Sequence, residues 1–299
     1  MIGHMEIALV GFGLIGGSIA RALRGSTPSP DGAVERLVAW SPTGRGCAEA
    51  LADGVIDDVA ATIADATDTA DLVVLAAPPL ATLDLLDALA GPGSARLKPE
   101  AVVTDVASAK ARIVERAALL ELPFVGGHPM AGLETTGYST SRADLFIDRP
   151  WIVVPTEPND ERAEAVDDLA RRVGARPIRM NAVAHDRAVA AISHLPLLLS
   201  AALVGAVAGD GPDSQPEGWA DARTLAASGW RDMTRLARGD ATMAAGIAVT
   251  NATPLAAQVR AVRAELDAWL ALLEADGGPD AEEVRERFAA LRRRLDEPG

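Results

Sequence analysis

The stretch Glu6-Ile7-Ala8-Leu9-Val10-Gly11-Phe12-Gly13-Leu14-Ile15-Gly16 (EIALVGFGLIG) decides the fold. A short apolar, strand-like run ends in Gly11 and Gly13, and Gly16 follows inside a helical pattern that covers Leu14–Leu23. The first glycine suits a tight turn, the second lets a ligand approach the backbone, and the third lets helix and strand pack closely. A helix that opens there offers unpaired N–H groups and the positive end of its dipole to a pyrophosphate. Gly11, Gly13, Leu14, Ile15 and Gly16 are therefore candidate dinucleotide-binding residues; a plain tight turn between strand and helix is the alternative.

Outward from that turn the pattern repeats. Arg36–Trp40, Leu72–Ala76, Ala101–Asp105, Pro123–Gly126, Trp151–Val154 and Arg176–Met180 read as further strands, with helices from about Ser108 and over Asp160–Val173. Strands alternating with helices predict a parallel sheet covered by helices. Ser26–Gly32 (STPSPDG) reads as a turn-rich loop. After Met180 the strand signals stop, and from Ala182 to Leu295 the chain is rich in Ala, Leu and Arg at helical spacing, broken at Gly209–Glu217 and Gly277–Pro279. The expected fold class is α/β: a Rossmann-like N-terminal domain (1–180) and an all-α C-terminal domain (181–299) for substrate binding and dimerisation. Leu195–Val207 is almost continuously apolar, more than one small helical domain can hide, which predicts a homodimer.

Composition narrows the chemistry. The chain has 299 residues, 49% of them hydrophobic and 23% charged, which excludes a disordered polymer. Its 28 basic against 42 acidic residues give a net charge of −14, which repels nucleic-acid backbones and anionic membranes. The apolar run Leu195–Ala208 contains Pro196, Ser200 and Gly205 and falls short of the ~20 residues of a bilayer span. No basic-then-apolar leader is visible, and the single Cys47 suits a reducing compartment, so a cytoplasmic location is expected. The chain has only two lysines, Lys98 and Lys110, which leaves little room for Schiff-base chemistry, and its four histidines form no metal-ligand cluster.

Several motifs fall where strands end. After the second strand, where an acid would bind a ribose 2′-hydroxyl, the chain reads Trp40-Ser41-Pro42-Thr43-Gly44-Arg45, and the nearest upstream acids, Asp31 and Glu35, lie before the strand. The Ser41 hydroxyl and Arg45 guanidinium suit a 2′-phosphate, a lean toward NADP over NAD; a solvated loop arginine is the alternative. Asp105-Val106-Ala107-Ser108-Ala109-Lys110 sets a hydroxyl at a strand top, where Ser108 is either a site residue or a helix cap. Gly126-Gly127-His128-Pro129-Met130-Ala131-Gly132 follows the next strand and constrains a histidine suited to accept a proton. Ile192-Ser193-His194-Leu195-Pro196 sits on the first long helix, where Pro196 removes the bond to the Ile192 carbonyl and predicts a kink that turns His194 toward a cleft. Ser228-Gly229-Trp230-Arg231-Asp232-Met233-Thr234-Arg235 offers Arg235 as a carboxylate clamp, or as one half of a surface ion pair.

Taken together, GxGxxG, DVASAK, GGHPMAG, ISHLP and GWRDMTR, in this order, resemble the prephenate/arogenate dehydrogenase family of tyrosine biosynthesis over roughly Glu6 to Leu270. The resemblance implies NAD(P)-dependent oxidative decarboxylation of prephenate to 4-hydroxyphenylpyruvate by a homodimer. It implies that His128 is the catalytic histidine on the substrate 4-hydroxyl, with Ser108 beside that hydroxyl and the nicotinamide. It further implies that Arg235 holds a substrate carboxylate and that His194 contacts substrate. Where many relatives read S-H-L-P-H, Leu197 replaces the last histidine, and no appended regulatory domain is visible, so weak tyrosine feedback is expected. Other readings stay open: arogenate or 4-amino-4-deoxyprephenate as substrate, a β-hydroxyacid dehydrogenase, or a non-catalytic dinucleotide sensor. A β-hydroxyacid dehydrogenase would need a lysine on the first helix after the sheet, and none follows Lys110.

Overall fold

Alternate residues of one strand belong to different layers: Ile7 and Leu9 join one apolar cluster, and Ala8 and Val10 another. Only a sheet covered on both faces buries a strand in that way. The computed structural model describes residues 5–25, 35–91, 97–157, 160–211, 214 and 216–297. The predicted loop Ser26–Gly32 lies outside the described residues, as does Asp31.

From the N-terminus the elements run β1 (Met5–Val10), α1 (Leu14–Gly25), β2 (Glu35–Trp40), α2 (Arg45–Ala52), β3 (Asp58–Val59), α3 (Ile63–Thr67), β4 (Leu72–Leu75) and α4 (Pro79–Ala90). There follow β5 (Val102–Asp105), α5 (Ala111–Leu119), β6 (Phe124–Pro129), β7 (Pro150–Val154), α6 (Ala163–Arg172) and β8 (Arg176–Arg179). The strands form one sheet in the order β3-β2-β1-β4-β5-β6-β7-β8. Strand order reverses between β1 and β4, so the carboxyl ends of these two strands border the crevice where such sheets bind ligands. The β6–β7 pair is antiparallel, whereas every other neighbouring pair is parallel. The predicted all-parallel sheet is corrected there, because among the described residues only a short 3₁₀ turn (Tyr138–Thr140) links the two strands in place of a crossover helix.

Ile19 and Leu23 of α1, Cys47 and Ala50 of α2, and Val166 and Leu169 of α6 pack with Ile7 and Leu9 on one face. Leu86 and Leu89 of α4 and Ile113 and Ala117 of α5 pack with Ala8 and Val10 on the other.

Beyond β8 the described chain is helical: α7 (Ala182–Val189), a π-helical turn (Ala190–His194), α8 (Leu195–Ala208), α9 (Trp219–Thr224), α10 (Ser228–Thr234), α11 (Ala241–Thr250), α12 (Ala252–Leu273) and α13 (Ala281–Asp296). By its contacts the chain divides into Met1–Ala252 and Thr253–Gly299. In the second unit Trp269 packs on Phe288 at 4.9 Å, and Arg287 covers the Trp269 ring at 4.6 Å while bonding Glu265 at 2.7 Å.

Two expectations about Leu195–Ala208 are corrected. Pro196, Ser200 and Gly205 do not interrupt the helix: Ala182–Ala208 is one run of 27 residues, long and apolar enough by length and composition to cross a bilayer. Nor does Pro196 set a kink inside a long α-helix. The wide turn Ala190–His194 has already shifted the hydrogen-bond register, and Pro196 falls in the first turn of α8, where a missing N–H is tolerated.

Candidate active site

The glycine-rich turn has the geometry its sequence demands. Gly11 has φ +91°, and a Cβ there would lie 2.5 Å from the Ala76 carbonyl oxygen at the end of β4. A Cβ on Gly16 would lie 2.6 Å from the Gly11 carbonyl, which locks helix against strand. A Cβ on Gly13 would meet nothing within 4 Å, so that position is open to a ligand. Gly13 faces this space directly ahead of Leu14 and Ile15, whose N–H groups precede the first intrahelical bond, from Gly17 N to Gly13 O. This donor set and this opening fit a dinucleotide pyrophosphate.

At the end of β2, the Ser41 hydroxyl accepts the Gly44 N–H at 3.1 Å, and Cys47 Sγ lies 3.4 Å from it. Gly44 is left-handed at φ 65° and hands the chain to α2, whose first residue is the exposed Arg45. Among the described residues no ion pair of Arg45 is recorded. Glu35 belongs to β2 itself, as its first residue opposite Met5, rather than preceding it. That position is at the opposite end of the strand from Ser41.

His128 lies on β6, paired with Ile152 of β7, rather than in the loop after the strand. The two glycines before it are required by what they pass. A Cβ on Gly127 would meet the Asp105 carbonyl at 2.5 Å and Thr104 Oγ1 at 2.9 Å, and one on Gly126 would meet Lys110 Cδ at 3.1 Å. Asp105 accepts the Gly127 and Ala107 N–H groups at 3.0 Å each and pairs with Lys110, both side chains being fully buried. One carboxylate thus binds β6 to the turn that carries Ser108. Such a pair adds little net stability against its desolvation, but it fixes geometry and holds a cation near His128.

Ser108 is not the cap of α5: that position is Lys110, with no side-chain cap, and the Ser108 Oγ is buried without a partner. His128 Nδ1 lies 2.8 Å from His185 Nε2, and the rings meet edge to face. His185 Nδ1 lies 2.8 Å from Asp186 Oδ1, and Asp186 also takes the N–H of Lys110 at 2.7 Å and of Ala111 at 2.8 Å. Burial, then the charges of His185, Lys110 and His194, push His128 well below the ordinary histidine value. Burial is also the chief cause that brings His194 down to about 4. Its Nδ1 lies 2.9 Å from Asn251 Nδ2, and its Nε2 is buried with no hydrogen bond of regular geometry.

The structure therefore gathers Ser108, His128 and His194, together with His185, Asp186, Asn251, Asp105 and Lys110, which sequence reasoning did not select as site residues. Arg235 stands apart from this cluster: it follows α10, is exposed, and pairs with Glu134 on the segment after β6. A regular helix turns about 180° further over the nine residues from His185 to His194, facing them apart. The wide turn Ala190–His194 changes that phase, and both imidazoles end up bonded around Asp186 and Asn251.

Residues 19–179 match the family model "Prephenate dehydrogenase, nucleotide-binding domain", and residues 181–290 match "Prephenate dehydrogenase, dimerization domain". The prephenate dehydrogenase of Bacillus subtilis is 33% identical over 242 residues, 79% of this chain. The chain spans 62% of that protein's length. A crystal structure of Synechocystis arogenate dehydrogenase is 30% identical, with a TM-score of 0.74, over 97% of this chain and 100% of that one. The Aquifex aeolicus prephenate dehydrogenase, solved with hydroxyphenyl propionate and NAD+, is 26% identical, with a TM-score of 0.84 over 98% of each chain.

Proposed function

This chain belongs to the prephenate dehydrogenase family, and from that premise we propose that it carries out the NAD(P)-dependent oxidative decarboxylation of prephenate to 4-hydroxyphenylpyruvate. The observation that carries the proposal is His128: a buried, neutral imidazole at the carboxyl end of β6, next to β5, whose following turn carries the unpartnered Ser108 hydroxyl, and at the same end of the parallel strands as the open glycine turn. When bound, the nicotinamide accepts the hydride from the ring carbon that bears the hydroxyl. His128 takes the hydroxyl proton as the C–O bond becomes a carbonyl. The bond to the ring carboxylate then breaks, CO₂ leaves, its electron pair aromatises the ring, and the phenolic oxygen recovers a proton. Ser108 aligns the hydroxyl, His194 lends a contact to substrate, and Arg235 exchanges Glu134 for a substrate carboxylate.

The Synechocystis relative is an arogenate dehydrogenase, which keeps an amino acid side chain as the second substrate reading. A strand end without an acid, followed by Arg45 at the start of α2, supports a lean to NADP within NAD(P). We place the domain boundary near residue 180, just after β8, whereas the division by contacts falls between Ala252 and Thr253, and we place a substrate and dimerisation domain after it, in a homodimer located in the cytoplasm.

His128→Asn tests the reading. It should retain cofactor binding and lose kcat by about 10²–10⁴-fold; a loss smaller than about tenfold overturns the assignment.

A further inference from the structure

A histidine serves as a base only through a nitrogen that carries a lone pair, so the tautomer of His128 matters as much as its protonation. When each ring carries one proton, the contact between His128 Nδ1 and His185 Nε2 leaves open which of them donates. A third group decides. His185 Nδ1 faces Asp186, and a carboxylate can only accept, so His185 holds its proton on Nδ1. Its Nε2 is then an acceptor, His128 donates from Nδ1, and His128 Nε2 is left with the lone pair. Asp186 is well suited to this. Burial alone would raise its carboxyl, yet the bonds from His185, Ala111 N and Lys110 N bring it below the ordinary value. The latter two donors belong to the N-terminus of α5, where the helix dipole also favours a negative charge.

His194 is set in the opposite sense. Asn251 Nδ2 donates to the Asp186 carbonyl at 2.8 Å, which rules out the flipped amide, since two oxygens would then face each other. The same NH₂ group meets His194 Nδ1 at 2.9 Å, so that nitrogen accepts and Nε2 carries the proton. All four groups are buried, Asp186 at 2%, Asn251, His185 and His194 at 1% exposure each, so water does not compete for these bonds.

We propose that His185, Asp186 and Asn251 are positioning residues that impose opposite tautomers on the two site imidazoles, making His128 an acceptor and His194 a donor at Nε2. The pair of tautomers matches a ligand that presents a hydroxyl to His128 Nε2 and an oxygen acceptor to His194 Nε2, where it competes with the Ser108 backbone. A substrate with the polarity reversed at these points would face acceptor against acceptor at His128 and donor against donor at His194. The kinetic consequences rest on His128 being the base, but the tautomers themselves do not.

The direct test is long-range ¹H–¹⁵N correlation on the intact protein with ring-labelled histidine at pH 8, where His128 and His194 are neutral. The two rings are assigned by the loss of their signals in His128→Asn and His194→Asn. His128 should show a protonated Nδ1 and a bare Nε2, and His194 the reverse; the same tautomer on both rings, or His128 protonated on Nε2, overturns the proposal. Kinetics supply a second arm. In Asp186→Asn the amide N–H can face His185 and reverse the relay, so kcat should fall about 10²–10⁴-fold while cofactor binding holds. His185→Gln keeps a carbonyl acceptor for His128 Nδ1 and should retain kcat within about tenfold of wild type, whereas His185→Leu should not. Equal kcat in the Gln and Leu variants contradicts the proposal. Should His128→Asn retain turnover, the base assignment fails while the nitrogen spectrum is unchanged, so the two failures are distinguishable.

Discussion

A buried imidazole with a buried cation nearby stays a base at neutral pH. His128 is pushed down by burial first and then by His185, Lys110 and His194, with Asp105 and Asp186 as the carboxylates that anchor those neighbours. Its proton is lost at a lower pH in the folded chain than in the unfolded one, so below the ordinary histidine value near 6.5 the unfolded state binds more protons. Two outcomes follow: kcat/KM should stay level from pH 8 through about 6.5 and fall only well below it, whereas the melting temperature should begin to fall as the pH drops below about 6.5. An ascending limb centred at or above about pH 6.5 would contradict the burial argument. Arg235 behaves differently, because its pair with Glu134 leaves the two side chains 57% and 42% exposed. Exposed pairs hold at about 0–1 kcal/mol, so a substrate carboxylate can displace Glu134 at little cost. Arg235→Gln should raise KM far more than it lowers kcat, and an unchanged KM would make Arg235 merely a surface partner. His128, Ser108, His194 and Arg235 could be picked out in the sequence as candidates because each sits in a dense, punctuated motif. His185, Asp186 and Asn251 were not, since nothing local marks them: their bonds close across 57 to 76 residues of chain.

At the level of elements, the strand–glycine–helix unit was readable because Gly11 and Gly16 are forced by backbone approaches within the unit itself. The direction of β7 was not, since nothing in Trp151–Val154 records that a 3₁₀ turn replaces a crossover helix. The wide turn before Pro196 was equally hidden: a proline announces a lost bond but not which register absorbs it. The β2–α2 connection carries the cofactor prediction. The Ser41 hydroxyl is engaged in closing the turn, which leaves Arg45 and the first N–H groups of α2 to meet a 2′-phosphate. Wild type should therefore prefer NADP in kcat/KM, and Arg45→Ala should erase that preference. A preference for NAD of about tenfold or more, or a ratio unmoved by the substitution, contradicts this account of the loop.

For the whole molecule, a net charge of −14 is an obstacle to an anionic substrate, so local cations and buried donors must overcome the global field. In α8 only Leu195 and Ser200 are buried, although the helix is almost entirely apolar. In the second unit Leu266, Leu270, Phe288 and Leu291 are each about half exposed or more. A second copy of the chain is the expected cover, and sedimentation at micromolar concentration should report a dimer; a monomer would refute it. The measurement that bears most directly on the central claim is steady-state turnover of the purified protein with prephenate and arogenate, each with NAD and NADP. The account predicts reduced cofactor and CO₂ formed in equal amounts from prephenate, with 4-hydroxyphenylpyruvate as product and a higher kcat/KM than for arogenate. Absence of turnover with prephenate under all cofactor conditions would contradict it.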